Sequence, residues 1–382
     1  MTETGSADTA EYRCCGKKAV DIRRKEFISA GRIKNAVAIK LRFFHFCFYG
    51  KLFPEVVIML AYKTSLGECH NGNSLILMQG MEPESVDLVV TSPPFALQRK
   101  KAYGNESQSE YVRWLMQFAE GVKRILKPSG SFVIDIGGAY KAGIPEYDLY
   151  QFRALIAMCD DVGFHLAQPF YWHNPSALPA PIEWVNKRKL RAKTSVNTVW
   201  WLCKDPRQCK VDITKVLTPY SDRMKKLFAN PDGFVAAEGT ERPSGHVMGK
   251  SSWTHDNGGA IPPNLLQISN TESNSQYLRY IKALGLKGHP ARFPEGLPEF
   301  FIKMLTDEGD LVVDIFGGSC TTGAVCERLG RRWLTFELSP EYAAASYCRF
   351  AQSEQDAKEQ YDRIIHALQN TAAEVQHTDG CQ

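Results

Sequence analysis

Val86-Asp87-Leu88-Val89-Val90-Thr91-Ser92-Pro93-Pro94-Phe95 is the stretch that decides the fold. Residues 86–90 form a short, mostly β-branched apolar run, the pattern of a strand buried on both faces of a parallel sheet. Pro93 and Pro94 lack an N–H and fix φ, so neither continues a central strand. The chain must leave the sheet there as a stiff loop carrying a hydroxyl, two carbonyls and a phenyl ring. In open α/β sheets, ligands sit beyond the carboxyl ends of the strands. The carbonyls of Ser92 and Pro93 suit the two hydrogens of an exocyclic amine, and Phe95 suits stacking on the flat ring that carries it. The same residues also suit a rigid turn with a core phenylalanine. A cofactor site elsewhere in the chain would separate the two readings.

Far downstream, Asp310-Leu-Val-Val-Asp-Ile-Phe-Gly-Gly-Ser-Cys-Thr-Thr-Gly323 reads as a buried strand, a glycine turn and the start of a helix. Glycines there permit positive φ and close approach of a ligand to backbone N–H groups. Gly318 and Gly323 have the gap of a P-loop, but Ala324 stands where a P-loop has lysine, and G-x-G-x-x-G is absent. The turn therefore suits an uncharged or cationic nucleoside better than a triphosphate. Residues 332–337 read as the next strand. Glu337 at its tip is placed to bind ribose hydroxyls.

The regular text around these two points alternates. Tyr111, Leu115, Phe118, Val122 and Ile125 recur at three- and four-residue spacing, one face of an amphipathic helix. Lys127-Pro128-Ser129-Gly130 ends it. Residues 131–136 read as a strand and residues 150–158 as a helix. Strand–helix alternation predicts an α/β fold with a doubly wound, mostly parallel sheet. Between residues 175 and 287 periodicity fades, apart from residues 198–202. Here Lys187, Arg188, Lys189, Arg191 and Lys193 place five positive charges in seven residues. A loop-rich basic insertion inside an α/β domain reads as a recognition segment; an isolated run of this kind is otherwise a solvated face. The organisation is read as an N-terminal extension (1–58), a catalytic half (59–174), a target-recognition region (175–287), a cofactor-binding half (288–352), and a C-terminal helix and tail (353–382).

The bulk composition narrows the setting. The 382 residues suffice for one large domain or two smaller ones, and the net charge of +4 is mild. Eleven cysteines include no C-x-x-C pair and no His/Cys cluster at zinc spacing, which favours reduced thiols in the cytoplasm and no metal. Acidic Glu3 and Asp8 precede any apolar run, so no signal peptide is read. Lys51, Pro54 and Glu55 interrupt the apolar stretch at 43–62, so no membrane span is read.

Thr91-Ser-Pro-Pro-Phe95 followed far downstream by Asp314-Ile-Phe-Gly-Gly-Ser319 resembles the DNA amino-methyltransferases in their permuted (beta) order: catalytic loop, recognition region, cofactor loop. Serine rather than aspartate before Pro-Pro is similar to the cytosine-N4-specific branch. The resemblance spans about residues 61–352, includes residues 182–193 (IEWVNKRKLRAK), 219–227 (PYSDRMKKL) and 287–305, and leaves residues 1–58 outside. Cys320 departs from it, since that family usually has asparagine there.

The resemblance implies a Rossmann-like fold and methyl transfer from S-adenosyl-L-methionine to N4 of a flipped cytosine in double-stranded DNA. It further implies the target CAGCTG, protection against a cognate restriction endonuclease without a stable complex, and a monomer. Ser92, Pro93, Pro94 and Phe95 would be catalytic. Phe293, Asp314, Phe316, Gly317, Gly318, Ser319, Thr321 and Glu337 would bind the cofactor, with His289-Pro-Ala-Arg-Phe293 beside its methionine end. Lys187, Arg188, Lys189, Arg191 and Lys193 would contact phosphates. Adenine-N6 methylation by the same loop, a catalytically dead DNA-binding relative, and a protein-glutamine methyltransferase remain the alternatives. The last would not need the basic insertion.

Overall fold

The computed structural model of the chain describes residues 47–48, 51–52, 59–96, 107, 110–230, 255–271 and 275–379. Most of the N-terminal extension and the basic stretch just after Phe95 lie outside these residues. Two short strands, β1 (Cys47–Phe48) and β2 (Lys51–Leu52), pair antiparallel.

The other strands form one nine-stranded sheet. They are β3 (Met59–Lys63), β4 (Gly67–Asn71), β5 (Val86–Thr91), β6 (Leu126–Ile136), β7 (His165–His173), β8 (Val196–Cys203), β9 (Leu265–Gln267), β10 (Leu311–Asp314) and β11 (Arg332–Glu337). Their spatial order is β3-β4-β11-β10-β5-β6-β8-β7-β9. Strands β4, β11, β10, β5 and β6 are mutually parallel. Strand β8 is antiparallel to both β6 and β7, and β3 forms an antiparallel edge.

Helices α1 (Ser74–Gln79), α2 (Tyr111–Ile125) and α3 (Tyr150–Asp160) cover one face of the sheet. Of the helices that follow α4 (Asp222–Ala229) and α5 (Gln276–Ala283), four cover the other face: α6 (Gly296–Leu305), α7 (Thr321–Arg328), α8 (Pro340–Ser346) and α9 (Glu354–Asp379). This is the doubly wound α/β arrangement that the alternation predicts. Among the described residues no helix is long and apolar enough to cross a membrane.

All six residues of β5 are buried. Leu88 and Val90 pack towards α6, and Val89 packs towards α2. That two-sided burial explains why the run is continuously apolar. Asp87 interrupts it and is fully engaged. Its Oδ1 accepts from Lys127 Nζ at 2.7 Å and its Oδ2 from Leu311 N at 3.0 Å. The carboxylate thus ties the starts of three neighbouring strands.

Two elements differ from the sequence reading. Strand β6 begins at Leu126 rather than Ser131, because Leu126 already pairs with Val86 before a bulge shifts the register to Leu88–Ser131. The carbonyls of Ser129 and Gly130 in that bulge accept from Lys210 N and Lys204 N. Residues 198–202, inside the stretch read as a recognition region, belong to β8, an inner strand between β6 and β7. Trp200 and Leu202 bury on one face and Val199 and Trp201 on the other, which pulls the strand into the core.

The crossovers locate the crevice. From β10 the chain passes through α7 to β11 on one side; from β5 it passes through α2 to β6 on the other. Because β10 and β5 are adjacent, the strand order reverses between them. Doubly wound sheets bind ligands beyond the carboxyl ends at this point.

Candidate active site

Thr91 ends β5 and Asp314 ends β10. Thr91 Oγ1 donates to Asp314 Oδ1 at 2.7 Å. The Ser92–Phe95 loop and the glycine turn, remote in sequence, therefore start from one hydrogen bond. Asp314 also accepts from Thr322 Oγ1 at 2.8 Å and from Phe316 N at 3.1 Å. Burial pushes its carboxyl up, and these donors oppose the shift.

Ser92 Oγ donates to Asp135 Oδ2 at 3.1 Å, and Asn197 Nδ2 of β8 approaches the same oxygen at 3.5 Å. Asp135, on β6, is 4% exposed. Burial pushes its carboxyl up to about 7, against the lowering effect of Asn197 and Ser92. Its Oδ1 has no hydrogen-bond partner among the described residues. Beside it lies a cavity of about 10 Å³, also lined by Thr91, Phe293, Leu297 and Phe301. That is room for about one water. Sequence reasoning missed Asp135 and Asn197. The available signal was Asp135 as the one acid in Phe132-Val-Ile-Asp-Ile136, at the carboxyl end of a buried strand.

Phe95 is half-buried, with its ring against Gly137 at the end of β6. A Cβ at Gly137 would run into the ring carbons. The Tyr150 hydroxyl donates to the Gly137 carbonyl and holds that backbone in place.

The glycine turn carries two left-handed residues, Gly318 at φ 52° and Cys320 at φ 56°. A side chain in that region costs on the order of 1–2 kcal/mol, and asparagine tolerates it best after glycine. Cys320 thus occupies a backbone conformation that glycine or asparagine adopts more readily. The Cys320 thiol is buried and pushed up to about 12 by that burial, so it stays protonated and inert.

Glu337 at the tip of β11 faces the turn. Its Oε2 accepts from Gly318 N at 2.7 Å and its Oε1 from Ser339 N at 2.8 Å. Burial pushes its carboxyl up to about 7, with the Asp314 charge adding to the rise. Two buried carboxylates beside one turn oppose a polyphosphate and favour a neutral or cationic nucleoside. The Phe316 ring lies 4.8 Å from Phe118 and 5.6 Å from Trp114. The His289 ring sits against Gly318 and packs edge-on to Tyr342 at 4.6 Å. Burial lowers the His289 pKa. Phe293 lines the small cavity beneath the Ser92–Phe95 loop.

Residues 174–195 connect β7 to β8. Thr198 of β8 pairs with Ile136 near the carboxyl end of antiparallel β6, so this connection rises from the same rim as both loops. Lys187, Arg188, Lys189, Arg191 and Lys193 on it are all exposed. Lys187 and Arg188 share Glu183 at 3.3 and 3.0 Å, and Arg188 lies over the Trp184 ring. Arg191 donates to the Pro145 carbonyl at 2.8 Å and Lys193 to the Ala177 carbonyl at 3.1 Å. A second cavity, about 210 Å³, is lined by Trp172, Asn174, Ala177, Thr194, Ser195 and Asn197. Through Asn197 it adjoins Asp135.

Comparison with known proteins bears on this geometry. A DNA methylase family model matches residues 86–347. The chain is 60% identical over 309 residues to the Type II methyltransferase M.PvuII of Proteus hauseri, covering 80% of this chain and 91% of that protein. It is 26% identical over 288 residues to the Type II methyltransferase M.BglII of Bacillus subtilis, covering 75% of this chain and 69% of that protein. Among solved structures it is similar to the PvuII DNA methyltransferase (cytosine-N4-specific). There the TM-score is 0.65 at 52% identity, covering 80% of this chain and 95% of the other.

Proposed function

The chain belongs to the DNA methylase family, and from that premise we propose that it transfers a methyl group from S-adenosyl-L-methionine to N4 of a cytosine in double-stranded DNA. The observation that carries the reading is the Thr91–Asp314 hydrogen bond across the switch point. It seats an amine-holding loop beside a turn suited to a cationic nucleoside. Phe316, Gly317, Gly318, Ser319, Thr321 and Glu337 hold the cofactor. When bound, S-adenosyl-L-methionine supplies the electrophilic methyl group.

The N4 lone pair is conjugated with the cytosine ring and is a poor nucleophile. Hydrogen bonds from its N–H groups to the Pro93 carbonyl and the Ser92 hydroxyl localise that pair. The Ser92 hydroxyl keeps its proton and donates a hydrogen bond to Asp135, which leaves its oxygen lone pairs to the substrate. On taking the methyl group, as the sulfonium C–S bond breaks, N4 would become cationic. Its surplus proton passes through Ser92 Oγ to Asp135, a carboxylate that burial has brought near neutral pH.

The target must leave the duplex stack at a cost of a few kcal/mol. Stacking on Phe95 returns about 1–3 kcal/mol, which offsets much of it. Gly137→Ala pushes the Phe95 ring aside and leaves the side chains of Ser92 to Phe95 unchanged. It is expected to lower turnover about tenfold or more, as Phe95→Ala does, with cofactor affinity unchanged. Wild-type turnover in steady-state assays of both variants would exclude the stacking role.

The exposed cations of residues 187–193 contact phosphates rather than bases. Replacing Lys187 and Lys193 by glutamine is expected to weaken binding to every sequence alike and to flatten the log–log salt slope by about 0.9 for each phosphate no longer neutralised. Fluorescence anisotropy across a salt series reads this. A changed sequence preference at constant slope would assign those residues to base reading instead.

We infer CAGCTG as the target from the likeness to M.PvuII. One chain carries both loops and the basic segment, which supports action as a monomer; we further propose that it works in the cytoplasm and protects DNA from a cognate endonuclease without binding it. Genomic DNA from cells expressing the protein should then resist an endonuclease that cuts CAGCTG. Complete digestion of that DNA would remove the target assignment.

A further inference from the structure

We propose that Arg349 is a positioning residue that preforms the cofactor turn by gripping Ser319 between the two left-handed residues Gly318 and Cys320. The inference rests on the S-adenosyl-L-methionine reading above. Arg349 ends the short 3-10 helix Tyr347–Arg349 that follows α8, two residues past the end of the family match. Its side chain is 3% exposed.

The guanidinium is directed at the turn. Nε donates to the Ser319 carbonyl at 2.6 Å. Nη2 donates to Ser319 Oγ at 3.1 Å and to Thr321 Oγ1 at 2.7 Å. Nη1 donates to Glu295 Oε1 at 3.2 Å. The Cζ stacks 5.0 Å over the Tyr277 ring. Glu295 immediately precedes α6, two residues after Phe293, so the same fork joins the turn to the segment that lines the cavity beneath the catalytic loop.

The turn needs such a grip. Ser319 is buried between Gly318, which takes left-handed backbone freely, and Cys320, where that backbone is strained and persists only where its surroundings over-determine it. A planar fork can hold a carbonyl and two hydroxyls at once, whereas an ammonium on a flexible stem cannot reproduce that geometry. Arg349 therefore acts through Ser319 and Thr321 rather than on the reacting atoms. Glycine at position 320 removes the backbone strain and should make the turn less dependent on the fork.

The test is calorimetric binding of S-adenosyl-L-methionine to the full-length wild type, Arg349→Met, Arg349→Lys, and Arg349→Met combined with Cys320→Gly. It is paired with turnover at saturating cofactor and with DNA affinity measured without cofactor. The expected result is cofactor affinity weakened about tenfold or more in both single variants, the lysine included. Saturated turnover and DNA affinity should stay within about threefold of wild type, and Cys320→Gly should recover part of the lost affinity. Cofactor affinity at the wild-type level in Arg349→Met or Arg349→Lys overturns the role. So does a parallel loss of DNA affinity, which marks general loosening of the fold. Wild-type protein that binds no S-adenosyl-L-methionine would overturn the functional reading and this proposal together, which distinguishes the two failures.

Discussion

Asp135→Asn is expected to lower turnover on the order of 10²-fold, with cofactor and DNA affinities little changed. The amide keeps the size of the side chain and an oxygen for the Ser92 hydroxyl, but it cannot take up a proton. The pH profile separates this role from simple packing. Burial pushes the Asp135 carboxyl up to about 7, so kcat/KM for DNA at saturating cofactor should rise with pH and level off above about 7. The variant should lack that limb. Stability should move the other way. A carboxyl with a folded pKa above its unfolded value of about 3.9 favours the native state below that value, and the benefit is lost as pH rises through about 7. Asp135→Asn should therefore melt at or above the wild-type temperature at pH 8, and the advantage should shrink in acid. Full activity in the variant, or an unchanged profile, would remove Asp135 from the proton path.

Glu337→Ala is the second large effect, and it falls on the cofactor. Both Glu337 oxygens already accept a backbone N–H, from Gly318 and Ser339, and each keeps a lone pair for a ribose hydroxyl. Hydrogen bonds to a charged group are worth about 1.5–3 kcal/mol each, so losing them should weaken S-adenosyl-L-methionine binding on the order of 10²-fold. Removing the carboxylate also leaves the Gly318 N–H without its acceptor, which loosens the turn. Burial pushes the Glu337 carboxyl up to about 7, and the ionised form accepts from both hydroxyls. Wild-type affinity should therefore rise between pH 6 and about 8, while Glu337→Gln should be weaker and flat with pH. Unchanged affinity in Glu337→Ala would assign the ribose to other residues.

These two carboxylates mark the boundary of what the sequence discloses. Glu337 was legible because it ends a strand that follows a glycine turn, a local pattern with a known geometric meaning. Residues 86–90 and 311–314 were legible as parallel strands because burial on both faces forces a continuous apolar run. Asp135 had no such pattern. Its meaning comes from Ser92 in the loop after β5 and from Asn197 on β8, which both reach it. Strand β8 was visible as residues 198–202, but its place inside the sheet depends on pairing with β6 and β7, which no local period reports. Lys127 to Gly130 reads as a helix stop, and α2 does end at Ile125; what the pattern does not report is that the same residues form a bulge at the start of β6, held by backbone donors from residues 204 and 210. The left-handed backbone at Cys320 is a conformation that no local sequence pattern discloses. The basic residues 187–193 were legible as a cluster. Only the antiparallel start of β8 brings them to the rim of the crevice.

The most direct measurement is methyl transfer from labelled S-adenosyl-L-methionine to a duplex carrying one CAGCTG site, followed by nucleoside analysis. The account predicts label in N4-methylcytosine at that site. N6-methyladenine would keep the fold and cofactor and contradict the assignment of Ser92 and its neighbours to a cytosine amine. No transfer to any duplex by a protein that binds the cofactor would contradict the account as a whole.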